Sequence, residues 1–171
     1  MTAATEGTGT AVPPQRTLHC RTVAAGGFQH LSYVRKLPPI QVEERLGLTR
    51  DGTAATPSEI LLVALGSCLA TRIHADAVTA NIAIRSLEIE IEGRFATSSM
   101  WDPTSTAPGP VGFEAIRVSV HLQADASPEA LRALVAHAVL WSPVANTLHD
   151  PVHLDVRFGG AGSAGANRVE G

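Results

Sequence analysis

The chain of 171 residues has little of what marks several common classes of protein. Its two cysteines are too few for a disulfide framework, which favours a reducing, cytoplasmic location. Acidic and basic residues nearly balance, at 16 and 13, so neither nucleic acid nor an anionic membrane is expected as a partner. No apolar run reaches the about 18 residues of a membrane span. The first 14 residues lack the basic start and apolar segment of a signal peptide.

Aromatic residues make up 4% of the chain, whereas hydrophobic residues make up 44%. A core built mainly from Leu, Ile, Val and Ala is therefore expected. The length predicts a single domain, which we place at residues 16–158. The flanking segments, 1–15 and 159–171, are rich in Gly and Ala and are predicted to be disordered tails.

Alternating apolar and polar residues predict strands in the second half of the chain. The segments that alternate in this way are Arg85–Gly93, Phe113–Ala124 and Pro151–Phe158. One apolar and one polar face are typical of antiparallel sheet covered on one side. Residues 17–44 are predicted to hold two or three further strands, separated at Gly26-Gly27 and at Pro38-Pro39.

The first predicted helix has a strong start signal. Thr56 is placed as its N-cap, Pro57 occupies the first helical position, and Glu59 completes a capping box. The pattern predicts a helix that ends near Thr79. Because residues 60–65 are apolar on nearly every side, this helix is expected to be buried, in part by a second subunit.

A second helix is predicted from Ser127, as N-cap, to about Leu140. The resulting order is strands, helix, strands, helix, strand, which is the order of an α+β protein. No spacing of Cys, His or carboxylate residues is typical of a metal site, and no nucleotide-binding loop is present. We therefore expect no metal and no cofactor.

Cys68 lies in the middle of the first predicted helix. A thiol there is either an inert apolar side chain or a protected nucleophile. The helix dipole does not activate it, because the dipole's effect fades within the first turn. Activation would require a cation or hydrogen-bond donors from elsewhere in the fold.

Two segments resemble the OsmC/Ohr family. The run PSEILLVALGSC at 57–68 is similar to the family's hallmark helix, which carries a reactive cysteine at the position of Cys68. The run SPVANTL at 142–148 is similar to the second motif, which normally begins Cys-Pro-Val-Ser. With the strand pattern, the resemblance covers roughly residues 17–158.

The resemblance implies an intertwined homodimer with curved antiparallel sheets and long buried central helices. Family members reduce organic hydroperoxides with a thiolate on the central helix. An arginine stabilises that thiolate and orients the peroxide, and a glutamate holds the arginine. A second cysteine then closes a disulfide, which external dithiols reduce. By this resemblance Cys68 is the peroxidatic cysteine.

The chain departs from the family at the second cysteine, where it has Ser142. A serine forms no disulfide, so the catalytic cycle would need an external thiol or dithiol reductant. Ser142 followed by Pro143 is also explained as an N-cap with proline at the first helical position. The other thiol, Cys20, lies on a predicted N-terminal strand, where most cysteines simply pack.

The partners of Cys68 are less clear from the sequence. Arg35 is the first choice for the arginine, with Arg21 and Arg45 as alternatives. Glu59 is the candidate for the glutamate, although the family's glutamate follows the proline directly and Glu59 comes one residue later. Nine residues of helix place Glu59 on the opposite side from Cys68, and the capping box alone accounts for it. Residues predicted to line the substrate pocket are Leu61, Leu65, Leu69 and Ser142.

The leading hypothesis is a thiol-dependent organic hydroperoxide reductase that uses Cys68 as its one redox cysteine. The apolar wall of the pocket would favour an alkyl hydroperoxide over hydrogen peroxide. The first alternative is a redox-inactive dimer that binds a small apolar or thiol-containing ligand. The second is another transfer reaction at Cys68.

Overall fold

A computed structural model describes residues 16–26, 28–44, 53–94, 112–149, 156–158 and 167–169. The predicted N-terminal tail, 1–15, lies outside the described residues. The chain divides into two compact units, Met1–Thr56 and Pro57–Gly171. The prediction that residues 16–158 form a single domain is not tested by this division and stays a prediction.

The strands described in the N-terminal unit form an antiparallel sheet. Its strands follow one another in the order β1 (Arg21–Gly26), β2 (Gln29–Tyr33) and β3 (Ile40–Glu43). The interruptions lie where the sequence predicted them, because β1 ends at Gly26 and β3 begins after the proline pair. The connection from β2 to β3 turns at Arg35, a non-glycine residue with a φ of 54°.

The described residues of the second unit form three helices and four strands. In chain order they are α1 (Pro57–Thr79), β4 (Ile84–Arg94), β5 (Ala115–Ala124), α2 (Pro128–Leu140), α3 (Pro143–His149), β6 (Val156–Phe158) and β7 (Asn167–Val169). Strands β4 and β5 pair antiparallel, and so do β6 and β7. The bounds of α1 agree with its start and stop signals. The predicted α+β class is confirmed, although β7 falls in the segment expected to be a tail.

The sheet alternation predicted for β4 is present. Its apolar side chains are half-buried and its glutamates are exposed. The buried face packs on a core in which α1 contributes Ile73 and Ala77 and α2 contributes Leu134 and Ala138. The core therefore joins α1, α2 and the β4–β5 hairpin.

Helix α1 is buried on one stripe rather than all round. Leu65, Leu69 and Ile73 point inward, whereas Val63 and Val78 are 58% and 80% exposed. The expectation that a second subunit covers part of this helix stays a prediction. By length and composition α1 could also cross a membrane, but the core helix of a soluble protein passes the same test.

Candidate functional site

Cys68 and Ser142 are in direct contact. Cys68 is half-buried on α1, and Ser142 is fully buried in the turn between α2 and α3. The Ser142 hydroxyl donates a hydrogen bond to Cys68 Sγ at 3.2 Å. The two residues are 74 positions apart, so the fold of the second unit brings them together.

The same serine is the N-cap of α3, as its sequence predicted. Its Oγ accepts a hydrogen bond from the Ala145 amide at 3.2 Å, and its carbonyl accepts from the Asn146 amide at 3.0 Å. One hydroxyl can accept and donate at once. The cap therefore occupies an oxygen lone pair and leaves the O–H free to donate to sulfur. The hydroxyl is therefore placed to donate a hydrogen bond to the sulfur while it caps α3.

A charged network that the sequence analysis missed lies one and two turns beyond Cys68. Arg72 Nη2 lies 2.6 Å from Asp76 Oδ1, and His137 Nδ1 on α2 lies 2.8 Å from Asp76 Oδ2. The Asp76 side chain is only 9% exposed. The hydrogen bond from His137, helped by Arg72, lowers the pKa of Asp76 below its ordinary value of 3.8, although burial opposes this. The carboxylate is thus held between two helices.

Trp141 completes this network at the end of α2. Its ring centroid lies 6.0 Å from Arg72 Cζ and 5.9 Å from the His137 ring. Its amide donates to the His137 carbonyl at 3.0 Å, and the next residue is Ser142. Arg72 Nε is buried and has no hydrogen-bond partner among the described residues. The charged network and the Cys68–Ser142 pair are therefore neighbours along both helices.

The sequence did carry a signal for half of this network. Arg72 and Asp76 follow Cys68 at intervals of four residues, which places all three on one side of α1. Charged residues at that spacing in an apolar helix require partners when the helix is buried. His137 carries no such signal, because its partner lies 61 residues away.

The predicted apolar wall lines a groove of about 840 Å³ within the second unit. Leu61, Leu65, Leu69 and Ile73 form one side of it, and β5, α2 and α3 contribute the rest. Cys68 is not among the residues that line this groove. Because successive helical residues differ by about 100°, Leu69 faces the groove while Cys68 faces Ser142. A substrate-binding role for these leucines stays a prediction.

Of the two other predicted catalytic residues, Glu59 is on α1 and Arg35 is in the N-terminal unit. Glu59 is exposed in the first turn of α1, about 13.5 Å along the helix axis from Cys68 and half a turn round it. Arg35 belongs to the N-terminal unit and is exposed. Their predicted catalytic roles stay predictions.

The remaining candidates are also in the N-terminal unit. Arg21 Cζ lies 4.5 Å from the centroid of the Tyr33 ring, its cross-strand partner, so this guanidinium has a structural role. Arg45 lies outside the described residues. Cys20 is exposed. Within the described part of the chain, no group of three or more His, Cys, Asp or Glu residues could hold a metal ion.

Comparison with known proteins gives one family and a set of similar folds. The family described as OsmC-like protein matches residues 50–157. No curated protein matches the sequence.

Several solved structures share the fold. An OsmC-like protein from Mycoplasma pneumoniae has a TM-score of 0.69 at 17% identity, covering 81% of this chain and 91% of its own. An organic hydroperoxide resistance protein OsmC from Legionella pneumophila has a TM-score of 0.58 at 16% identity, covering 79% and 90%. An organic hydroperoxide resistance protein from Elizabethkingia anophelis, with thiocyanate bound, has a TM-score of 0.59 at 14% identity, covering 82% and 93%. At such identities the likeness concerns the fold.

Proposed function

The chain belongs to the OsmC-like protein family, and on this premise we propose that it is a thiol-dependent organic hydroperoxide reductase with Cys68 as its single redox cysteine. The observation that carries the proposal is the hydrogen bond from the buried Ser142 hydroxyl to Cys68 Sγ at 3.2 Å. It gives the thiol a donor that stabilises its nucleophilic form.

In the first half-reaction the Cys68 thiolate attacks the terminal oxygen of the hydroperoxide. The sulfur–oxygen bond forms as the O–O bond breaks, and the alkoxide leaves and takes up a proton to become the alcohol. The peroxide is reduced by two electrons, and the sulfur is oxidised to a sulfenic acid. Ser142 stays hydrogen bonded to the sulfur and does not react.

In the second half-reaction an external thiol replaces the family's second cysteine. One thiol condenses with the sulfenic acid to a mixed disulfide and releases water, and a second thiol regenerates Cys68 and leaves as the oxidised disulfide. A dithiol protein would do the same with its two sulfurs. Such reductants are abundant in a reducing cytoplasm, which is the location we propose.

An organic peroxide is the proposed substrate because two relatives with this fold are described as organic hydroperoxide resistance proteins. The apolar groove that Leu61, Leu65 and Leu69 line, on the neighbouring face of α1, would accommodate the alkyl part of such a peroxide. In this proposal Arg35 orients the peroxide and Glu59 supports it. Each role is tested by whether Arg35→Lys or Glu59→Gln slows peroxide consumption.

A homodimer is the proposed assembly. Val63 and Val78 are exposed apolar residues on the outer side of α1, and a second copy of the helix would cover them. Sedimentation equilibrium of the full chain tests this directly. A mass of one chain at micromolar concentration would contradict it.

The test of the proposed function is intact-mass spectrometry of the reduced protein after one equivalent of cumene hydroperoxide, with a sulfenic acid trap present. A Cys20→Ser background leaves Cys68 as the only thiol. We expect rapid trapping at Cys68, faster than with hydrogen peroxide. Cys68→Ser is the control and should not react. An unmodified Cys68 after several minutes would refute the proposal.

A second candidate function is supported by the groove of about 840 Å³ that Leu65, Leu69 and Ile73 help to line. Its volume lies in the range of small-molecule sites, and it is largely apolar. If Cys68 stays unmodified, binding of a fluorescent fatty acid in this groove becomes the next measurement. Loss of that binding in Leu69→Asp, with the fold retained, would support a ligand-binding protein.

A further inference from the structure

We propose that Asp76 and His137 are positioning residues that hold the Ser142 hydroxyl on the sulfur of Cys68. A hydrogen bond of 2.8 Å joins Asp76 on α1 to His137 on α2, and a contact of 3.2 Å joins the Ser142 hydroxyl to the Cys68 sulfur. Only four residues of chain separate His137 from Ser142. The inference deepens the proposed function. It rests on that proposal for the reaction that Cys68 carries out, but not for how the Ser142 hydroxyl is positioned.

Hydrogen bonds fix the four residues between His137 and Ser142 relative to one another. The Trp141 amide donates to the His137 carbonyl at 3.0 Å, and the Ser142 amide donates to the Val139 carbonyl at 3.2 Å. The Asn146 side chain closes the turn by donating to the Leu140 carbonyl at 3.0 Å. A displacement of His137 should therefore displace Ser142 by a similar amount.

Apolar packing alone holds the position of α2 along α1 less precisely than a hydrogen bond does. Ala138 on α2 packs against Ile73 and Ala77 of α1, and contacts between such small or aliphatic side chains tolerate small shifts. A hydrogen bond at 2.8 Å loses most of its strength when it lengthens or bends. The polar contact thus sets the position of α2 along α1, and the apolar contacts supply the attraction.

Arg72 makes the two positioning residues distinguishable. It binds the other carboxylate oxygen of Asp76 at 2.6 Å, so removing His137 leaves the Arg72–Asp76 pair in place and releases only α2. Removing the Asp76 carboxylate releases α2 and also frees a guanidinium one turn from Cys68. These two consequences of removing Asp76 oppose each other, because releasing α2 disfavours a thiolate whereas a freed guanidinium favours it. Replacing His137 is therefore the clearer test.

The experiment measures the rate of Cys68 alkylation by iodoacetamide against pH, in the full chain with Cys20→Ser. His137→Leu removes the donor, and His137→Asn places an amide nitrogen near the position of the ring Nδ1. His121→Leu is the matched control, because His121 is exposed on β5 and its nearest carboxylate contact is 3.5 Å. Circular dichroism and thermal unfolding establish that each variant is folded.

We expect His137→Leu to slow alkylation at pH 7 about three- to tenfold and to move the rate–pH profile to higher pH. This range is that of a lost hydrogen bond to a charged group, partly offset by the greater nucleophilicity of a more basic thiolate. His137→Asn should restore the rate to within about twofold of the parent. Ser142→Ala should slow alkylation as much as His137→Leu does, and the double variant should be no slower than Ser142→Ala.

Two results would overturn the proposal. If His137→Leu lowers the unfolding temperature but leaves the alkylation profile unchanged, the role of His137 is only structural. If His137→Leu slows alkylation equally in the Ser142→Ala background, His137 does not act through Ser142. Failure of the proposed function looks different: the alkylation results would hold while the parent protein left cumene hydroperoxide unreduced.

Discussion

Replacing Ser142 by cysteine should give the protein the disulfide that its sequence lacks. The serine oxygen lies 3.2 Å from Cys68 Sγ, and a disulfide bond is about 2.05 Å long, so the two sulfurs must approach by about 1.1 Å from the present contact. The longer carbon–sulfur bond of a cysteine covers part of this distance. The site is fully buried, so the new thiol has few other orientations available.

The effect on stability follows from the separation of 74 residues in sequence. In the chain-entropy model, closing a loop of this length stabilises the fold by about 4.5 kcal/mol. Losing the hydroxyl cap of α3 costs about 1 kcal/mol in both redox states. The oxidised variant should therefore unfold about 10 °C above the parent, and the reduced variant about 3 °C below it.

The assay begins with one equivalent of cumene hydroperoxide added to the reduced variant in the Cys20→Ser background. Intact mass should show the loss of two hydrogens, whereas the parent protein gains one oxygen. The hydroperoxide takes both electrons from the two thiols and becomes the alcohol and water. Ser119→Cys, at an exposed position on β5, is the matched control and should form no such bond.

One result would refute the reasoning. If the parent Cys68 is oxidised, yet Ser142→Cys keeps two free thiols after the same treatment, the contact between positions 68 and 142 is not the one described. If the disulfide forms but lowers the unfolding temperature, the contact between the two positions is supported, and the stabilisation expected from loop closure is wrong.

Three further predictions concern the core and the charge network. Ile73→Ala should destabilise the protein by about 2–5 kcal/mol in urea unfolding, because the side chain is fully buried between the two main helices. The lowered pKa of Asp76 means that its ionic contacts stabilise the fold above pH 3.8 and that this contribution is lost as the pH falls further. The difference in unfolding free energy between the parent and Asp76→Asn should accordingly shrink below that pH. Gly93→Ala should destabilise by about 1–3 kcal/mol, because its Cβ would overlap the ring of Phe113, whereas Gly112→Ala meets no atom and should be neutral.

Local signals in the sequence were enough for the elements that carry the site. Thr56-Pro57 and Ser142-Pro143 are cap-and-proline pairs, and α1 and α3 begin at those prolines. Such signals act within one helical turn, so they do not depend on the rest of the fold. The alternation in β4 and β5 is similarly local and predicted both strands within two residues.

The contacts between elements were beyond such signals. The local signals around Ser142 do not say that its hydroxyl points at Cys68, because that depends on how α2 and α3 pack on α1. The same holds for the bond between Asp76 and His137. Only the resemblance implied the contact of Ser142 with Cys68, since it puts Ser142 at the position of the cysteine that closes a disulfide in the family. Leu69 shows the converse problem: it is next to Cys68 in sequence, yet it faces the groove, which the thiol does not line. Residues that are adjacent in a helix point in different directions, so a pocket inferred from adjacent residues combines side chains from two faces of the helix.

Serine at position 142 preserves the structure of the site while changing its chemistry. It caps α3 and contacts the sulfur, and both tasks need only a small side chain with a polar atom. A sulfenic acid formed at Cys68 then has a neighbour that hydrogen bonds to it but does not condense with it. Its lifetime is limited by the arrival of an external thiol at a half-buried sulfur. For this reason the rate of turnover should depend on the size and concentration of the reductant more steeply in the parent protein than in Ser142→Cys.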